Sequence, residues 1–260
     1  MSIEVQIKIE KVDMLLKLLW SQEIGEIIMK VLAINGSPHM DNGNTALILD
    51  PFLEGMKEAG ANVDLYYTRN LKIGPCNGDM SCWFKNPGKC GQDDDMKMLL
   101  PKFKEADVIV WASPVYYAGI TGPLKNLMDR QLPLHIFGES SGKRQKVVLV
   151  SSCGFWDISM FDPLVSQMKA IYARPGGNTE FAGALLRPGA DPMWDMMKGD
   201  GAAALTSIFV AAKEAGRQLV KEGKISEKIL NDVSKKFMPE EEYKKAANAM
   251  MEEIRKSIKS

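Results

Sequence analysis

The sequence lacks an excess of charge of either sign, and it lacks a long apolar run. Its 33 lysines and arginines balance 33 aspartates and glutamates, whereas nucleic-acid-binding proteins usually carry a basic excess. No run approaches the roughly 18 apolar residues that a membrane-spanning helix needs. Charged residues such as Glu4, Lys8 and Asp13 interrupt the first 29 residues, so they lack the core of a secretory signal. We therefore expect neither a nucleic-acid partner nor a membrane.

Cysteine is also scarce. The 260 residues include four cysteines, at positions Cys76, Cys82, Cys90 and Cys153. This number is too small for a disulfide scaffold, and three of the four cluster in one stretch. A reducing cytoplasm is the compartment that this cysteine content favours.

The hydrophobic pattern alternates between buried strands and amphipathic helices. It predicts strands over 27–35, 62–68, 107–113, 146–151 and 179–186, and helices over 45–60, 94–106 and 202–222 and from 123 onward. Regular alternation favours parallel strands with right-handed crossovers. The prediction is an α/β fold with a doubly wound five-stranded parallel sheet and helices on both faces. Pro51 lies inside the first helix, so we expect a kink near it.

Two flanks lie outside this alternation. Residues 1–28 form an N-terminal extension, 29–223 the main domain, and 224–260 a C-terminal helical extension. The last helix starts after Pro239 with three glutamates, which complement the helix dipole. We expect this helix to pack on the domain or on a partner subunit through a stripe formed by Tyr243, Ala247, Met250, Ile254 and Ile258.

The loop over 35–45 connects the first strand to the first helix. Ligands of open parallel sheets bind beyond the carboxyl ends of the strands. Backbone N–H groups at the start of a helix can hold a phosphate, and Ser37, Asn44 and Thr45 add side-chain donors. The loop matches neither the nucleotide P-loop nor the dinucleotide G-x-G-x-x-G spacing. The alternative is a tight turn with a good helix cap.

Two later strand ends offer a site for a planar ring. The segment Pro114, Val115, Tyr116 and Tyr117 supplies a flat, partly apolar wall, and Ser152, Cys153 and Gly154 supply small residues and backbone amides. The alternative for the tyrosines is packing in the core. A phosphate site beside a ring site describes a pocket for flavin mononucleotide (FMN).

These loops resemble those of a known family. The motifs are Gly36-Ser37-Pro38, Gly43-Asn44-Thr45, Ser113-Pro114-Val115-Tyr116 and Gly122-Pro123-Leu124-Lys125 before Asp129-Arg130. Together they resemble the NAD(P)H-dependent FMN reductase family, which has a flavodoxin-like fold and includes iron–sulfur flavoproteins. The similarity covers roughly residues 29–186.

The resemblance implies roles for individual residues. Ser37, His39, Asn44 and Thr45 would contact the FMN phosphate. The isoalloxazine ring would be bordered by Pro114, Val115, Tyr116, Tyr117, Ser152, Cys153 and Gly154. His39 stands where the family often has arginine. No side chain is assigned a catalytic role, because the flavin N5 carries the chemistry.

The resemblance also implies an activity. Hydride would pass from NADPH or NADH to FMN, and electrons would continue to a small-molecule or protein acceptor such as a quinone, a flavin or a ferric species. The protein would be a homodimer or homotetramer. A flavodoxin-like electron carrier, or an iron–sulfur flavoprotein that receives electrons from ferredoxin, is the alternative.

The cysteine-containing loop bears on that alternative. Iron–sulfur members of the family carry four cysteines here, whereas this loop has Cys76, Cys82 and Cys90, with Asp79 in the position of the second cysteine. Four thiolates are the usual ligands of a [4Fe–4S] cluster. The resemblance therefore implies no metal in this loop, and a cluster that Asp79 completes is the competing interpretation.

Overall fold

The computed structural model describes residues 28–135, 143–199 and 201–259. Five parallel strands form one sheet in the order β2-β1-β3-β4-β5, which is the flavodoxin-like order. The strands are β1 (Lys30–Asn35), β2 (Asn62–Tyr67), β3 (Val108–Pro114), β4 (Gln145–Ser152) and β5 (Thr179–Arg187). The predicted five-stranded doubly wound sheet is thereby confirmed.

Helices connect and flank the strands. They are α1 (Ala46–Glu58), α2 (Ser81–Phe84), α3 (Met96–Glu105), α4 (Gly122–Asp129), α5 (Asp162–Tyr172), α6 (Met193–Met197), α7 (Ala202–Glu222), α8 (Glu227–Ser234) and α9 (Glu240–Lys259). None of the helices in the described ranges has the length and hydropathy that crossing a membrane requires.

The sheet carries a separate apolar core on each face, because successive strand residues point to opposite sides. On one face, strand residues such as Val31 and Val110 pack against α1, α7 and α8. On the other face, Leu32 and Trp111 pack against α3, α4 and α5. Strands buried on both sides explain the continuous apolar runs in the sequence.

Pro51 and Thr121 each behave differently from what their residue types suggest. Helix α1 runs without interruption through Pro51, so the proline does not end it. Thr121 is the N-cap residue of α4, but its side chain does not cap the helix. Its Oγ1 instead donates to the carbonyl of Gly36 at 2.8 Å, which ties α4 to the loop after β1. The N-terminal extension, residues 1–28, falls outside the described residues except for Ile28.

The C-terminal extension packs against the main domain. Val233 of α8 is fully buried in the core that α1 and α7 form. In α9, Tyr243 is buried, whereas Ile254 and Ile258 further along the predicted stripe are exposed. Within this chain, the helix therefore packs on the domain through its first turns. Packing of the rest of the stripe on a partner subunit stays a prediction.

Helices α1 and α7 cross at two glycines. A Cβ on Gly55 would lie 1.9 Å from the carbonyl oxygen of Lys213, and a Cβ on Gly216 would lie 2.1 Å from that of Phe52. Only hydrogen at both positions allows the backbones to come this close. The crossing sets how α1 lies on the sheet, and so where its first turn meets the loop after β1.

Substituting Gly216 with alanine tests this contact. The added methyl group must push the two helices apart, so we expect Gly216→Ala to lower the free energy of unfolding by about 1–3 kcal/mol. Urea denaturation measures this difference. Gly199→Ala is the matched control, because a Cβ there meets no atom within 4 Å. Equal stability of the two variants would contradict the close crossing.

Candidate functional site

Three loops meet at the carboxyl edge of the sheet. Strand β3 lies between β1 and β4, with Asn35 opposite Ala112 and Pro114 opposite Ser152. The ends of the three strands are therefore at one level. The residues that the sequence predicts for a phosphate and for a planar ring share this edge, as expected for a parallel sheet.

The loop between β1 and α1 is closely folded. Ser37 and Thr45 are almost fully buried. The N–H of Ser37 donates to Asn35 Oδ1 at 2.8 Å, and the N–H of His39 donates to Ser37 Oγ at 3.3 Å. A short 3-10 turn, Met40–Asn42, then leads into α1. At the start of α1, the N–H of Ala46 donates to the carbonyl of Gly43 at 2.9 Å and that of Ile48 to the carbonyl of Thr45 at 3.3 Å, so the turn before the helix already takes up part of its N–H groups.

A hydrogen bond joins this loop to the end of β4. The hydroxyls of Thr45 and Ser152 lie 2.9 Å apart, and both side chains are buried. Because β3 separates β1 from β4, this contact reaches across the end of an intervening strand. The hydrogen bond therefore links the predicted phosphate loop directly to the predicted ring loop.

Unpartnered polar atoms in this loop fit a phosphate ligand. Asn44 has a buried side-chain oxygen without a hydrogen-bond partner, and the Nδ2 of the buried Asn35 also lacks one. Such groups are costly unless a ligand or water satisfies them. Rotation of the Asn44 amide presents its NH₂ to an anion. At Gly43, a Cβ would lie 2.6 Å from Ser37 Oγ, so only glycine keeps this cradle open.

Arg69 is a candidate that the sequence reasoning missed. It follows β2, and its guanidinium NH1 donates to the carbonyl of Pro38 at 2.8 Å. The loop over 35–45 contains no lysine or arginine of its own. The strand order could have identified Arg69. Because β2 lies next to β1, a basic residue shortly after β2 comes to lie beside the loop that follows β1.

The loop after β3 makes a tight turn with two residues of positive φ. Tyr116 and Gly119 exchange backbone hydrogen bonds, and between them Tyr117 and Ala118 have φ values of 50° and 57°. Non-glycine residues pay a conformational penalty there, and such strain concentrates at ligand sites. The side chain of Tyr117 is fully exposed and that of Tyr116 is 47% exposed. The alternative that these tyrosines pack in the core is wrong.

The loop after β4 presents its backbone and not its thiol. Cys153 is buried, and its Sγ donates to the carbonyl of Phe155. Burial raises the pKa of the Cys153 thiol to about 11, so it stays protonated at neutral pH. The side chain of Phe155, which the sequence reasoning did not select, is 61% exposed. Its position directly after the predicted triplet was the available signal.

The cysteine-containing loop lies in the chain between β2 and α3. Cys82 is buried and Cys76 is exposed. The Asp79 carboxylate accepts the Ser81 N–H at 2.9 Å, which commits it to a local turn. Within the described ranges, no group of three or more histidine, cysteine, aspartate or glutamate side chains is arranged to hold a metal ion.

A buried ion pair between Arg130 and Asp94 contacts the start of that loop. Arg130, 1% exposed, contacts Asp94 at 2.7 Å and donates to the carbonyl of Gly74 at 2.9 Å. Burial alone would raise the pKa of Asp94, but the hydrogen bonds from Arg130 and from two backbone N–H groups outweigh it and hold this pKa below its usual range. Asp94 also contributes to the start of α3, because its Oδ1 accepts the N–H of Met96 at 3.1 Å.

Sequence relatives share part of this chain. An iron-sulfur flavoprotein of Methanocaldococcus jannaschii is 42% identical over 108 residues, which are 42% of this chain and 54% of the relative. One from Archaeoglobus fulgidus is 39% identical over 102 residues, 39% of this chain and 48% of the relative. The chain thus spans about half the length of the curated relatives it matches.

Solved structures share the fold. An NAD(P)H:quinone oxidoreductase from Methanothermobacter marburgensis superimposes with a TM-score of 0.53 at 17% identity, covering 74% of this chain and 97% of the other. An FMN-dependent NADH-azoreductase from Bacillus anthracis, solved in complex with FMN, gives 0.52 at 18% identity, covering 75% and 100%. At these identities the likeness concerns the fold alone.

A family model covers four of the five strands, β1 to β4, and the three site loops. The model described as NADPH-dependent FMN reductase matches residues 29–177, which is more than half of the chain and includes all three site loops. The resemblance inferred from the loop motifs is confirmed: this chain belongs to the NADPH-dependent FMN reductase family.

Proposed function

We propose that the protein binds FMN at the carboxyl edge of the sheet and is an oxidoreductase that uses NADPH or NADH. The observation that carries the proposal is the loop over 35–45, in which the buried hydroxyls of Ser37 and Thr45 and the unpartnered side-chain oxygen of Asn44 lie before the start of α1. Family membership supports the same cofactor. The acceptor class, a quinone, a flavin or a ferric species, is part of the proposal.

The phosphate would be held by Ser37, His39, Asn44 and Thr45. Hydroxyl, amide and helix N-terminal N–H groups are all donors that suit a phosphate dianion. The loop also carries Asp41, and burial and Asp41 together raise the pKa of nearby Asp50. Arg69 would offset this negative charge, since its guanidinium is already fixed against Pro38.

The ring would lie between the loops after β3 and β4. Tyr116, Tyr117 and Phe155 offer exposed aromatic faces, and planar rings stack favourably on such faces. The backbone of the other proposed ring residues, Pro114, Val115, Ser152, Cys153 and Gly154, would border the edge of the ring. Bound FMN supplies the hydride-accepting centre and the electron transfer.

The protein's own residues would contribute binding and orientation rather than acid–base chemistry. The raised pKa of Cys153 keeps its thiol neutral, so it is a poor nucleophile. The open surface beside Tyr117 and Phe155 would admit the nicotinamide and then the acceptor. A flat apolar acceptor such as a quinone suits these aromatic side chains best.

An iron–sulfur flavoprotein is the second candidate, favoured by the similarity to the iron-sulfur flavoproteins of Methanocaldococcus jannaschii and Archaeoglobus fulgidus. The donor set does not fit a [4Fe–4S] cluster: three thiols are present where four are usual, and Asp79 is bonded to the N–H of Ser81. We derive no electron-transfer step through a cluster. Location in the cytoplasm and assembly as a homodimer or homotetramer stay predictions.

Comparing FMN with riboflavin tests the phosphate assignment. We expect Asn44→Ala, and separately Arg69→Ala, to raise the dissociation constant of FMN about 10- to 100-fold, because each removes a proposed contact to a charged group. Riboflavin lacks the phosphate, so its affinity should be nearly unchanged. Quenching of flavin fluorescence measures both constants.

Arg174→Ala is the matched control for Arg69→Ala. Arg174 is also an exposed arginine that donates to a backbone carbonyl, that of Ala170, but it precedes β5 at the opposite edge of the sheet. The Arg174→Ala variant should bind FMN with the same affinity as the wild type. Equal loss of FMN and riboflavin affinity in Asn44→Ala and Arg69→Ala would place the phosphate elsewhere.

Stopped-flow spectroscopy of the FMN-loaded protein tests the activity. Under anaerobic conditions, NADPH or NADH should bleach the flavin absorbance with a rate that saturates with nucleotide concentration. Saturation indicates a nucleotide site beside the flavin. A flavin that neither nucleotide reduces would instead support the alternative of an electron carrier.

A further inference from the structure

The C-terminal segment reaches the loop that follows β4. In α9, the hydroxyl of Tyr243 donates to the carbonyl of Gly154. The rings of Tyr243 and Trp156 pack with their centroids 5.0 Å apart. Burial raises the pKa of Tyr243, so its hydroxyl remains a donor at neutral pH. Both contacts fall on residues within or directly after the proposed ring loop.

Lys236 holds the same loop from the segment between α8 and α9. Its ammonium donates to the carbonyl of Trp156 and lies 4.1 Å from the centroid of the Trp156 ring. A cation over an indole face is a favourable contact. Residues from two points of the C-terminal segment therefore converge on Gly154 and Trp156.

Arg187 fixes the segment to the sheet. It ends β5, is fully buried, and donates at 2.8 Å to the carbonyls of Val233 and Lys235 at the end of α8. The partial negative charge at the C-terminus of a helix suits a cation. The segment that carries Lys236 and Tyr243 is therefore anchored to the sheet by the hydrogen bonds of Arg187.

The loop is also held on the side of β5. The N–H of Cys153 donates to the carbonyl of Arg187, and the N–H of Gly189 donates to that of Phe155 at 2.7 Å. Gly189 leaves little room, since a Cβ there would lie 3.2–3.3 Å from Trp156 and Tyr243. The side chain of Phe155 remains exposed, so the loop is supported from behind and keeps an open face.

We propose that Tyr243 and Lys236 are positioning residues of the flavin site, and that the C-terminal segment over 235–243 completes that site. This inference rests on the proposed function. The segment lies beyond the residues 29–177 that the family model matches, so this support belongs to the part of the chain outside the family match. It acts through contacts with Gly154 and Trp156 and does not touch the ligand.

The physical effect is preorganisation. A loop held in one conformation before the cofactor arrives does not lose further conformational freedom on binding. Without the Tyr243 hydroxyl, the carbonyl of Gly154 loses a direct partner and the loop samples more conformations. Cofactor binding must then select among them, which weakens the apparent affinity.

Tyr243→Phe tests the inference with the smallest change, because it keeps the ring on Trp156 and removes only the hydroxyl. We expect the dissociation constant of FMN to rise about three- to tenfold, as for loss of one hydrogen bond. The visible absorption spectrum of bound FMN should also shift, since the loop borders the ring. Lys236→Met is the second variant and should change both readouts in the same direction.

Tyr172→Phe is the matched control. Tyr172 is a buried tyrosine of the opposite core, at the end of α5 away from the loop. We expect its variant to lose stability while keeping the affinity and spectrum of FMN. Wild-type affinity and spectrum in both Tyr243→Phe and Lys236→Met would overturn the inference and leave the proposed function intact. Failure of the wild type to bind FMN would overturn both.

Discussion

A single buried contact between two hydroxyls, those of Thr45 and Ser152, joins the two parts of the proposed site. Thr45 directly precedes α1, and Ser152 ends a strand that is not adjacent to β1. The contact therefore fixes the distance between a place for a phosphate and a place for a ring. The parallel sheet makes this possible, because it brings the ends of β1, β3 and β4 to one edge. Phosphate anchoring and ring orientation depend on the same geometry.

The positive charge beside the proposed phosphate loop comes from another part of the chain. The loop over 35–45 has an aspartate and no lysine or arginine, while Arg69 reaches it from the end of β2. Support comes from a distance in the same way, since Tyr243 and Lys236 hold the loop after β4 from the C-terminal segment. We infer that the proposed flavin site is assembled from parts of the chain that lie far apart in sequence.

The fold could be predicted from the sequence because apolar periodicity directly reflects burial on one or both faces of an element. The strand order followed from the family resemblance, and the loop residues followed from their place after predicted strands. Contacts between side chains that are distant in sequence could not be predicted in this way. Arg69 carries no motif, and Tyr243 reads as one member of an apolar stripe until the position of α9 is known. Threonine is a common N-cap residue, yet the hydroxyl of Thr121 donates to the carbonyl of Gly36 and accepts no N–H of α4, so a contact distant in sequence replaces the local cap.

The central claim is that the phosphate of FMN lies at the start of α1, in the loop closed by Thr45 and Ser152. A crystal structure of the protein grown with FMN tests this most directly. The account predicts phosphate oxygens within hydrogen-bonding distance of Ser37, Asn44 and Thr45, and the isoalloxazine ring beside Tyr116 and Gly154. FMN bound with its phosphate at another edge of the sheet, or a loop that stays closed without ligand in the presence of saturating FMN, would contradict the account.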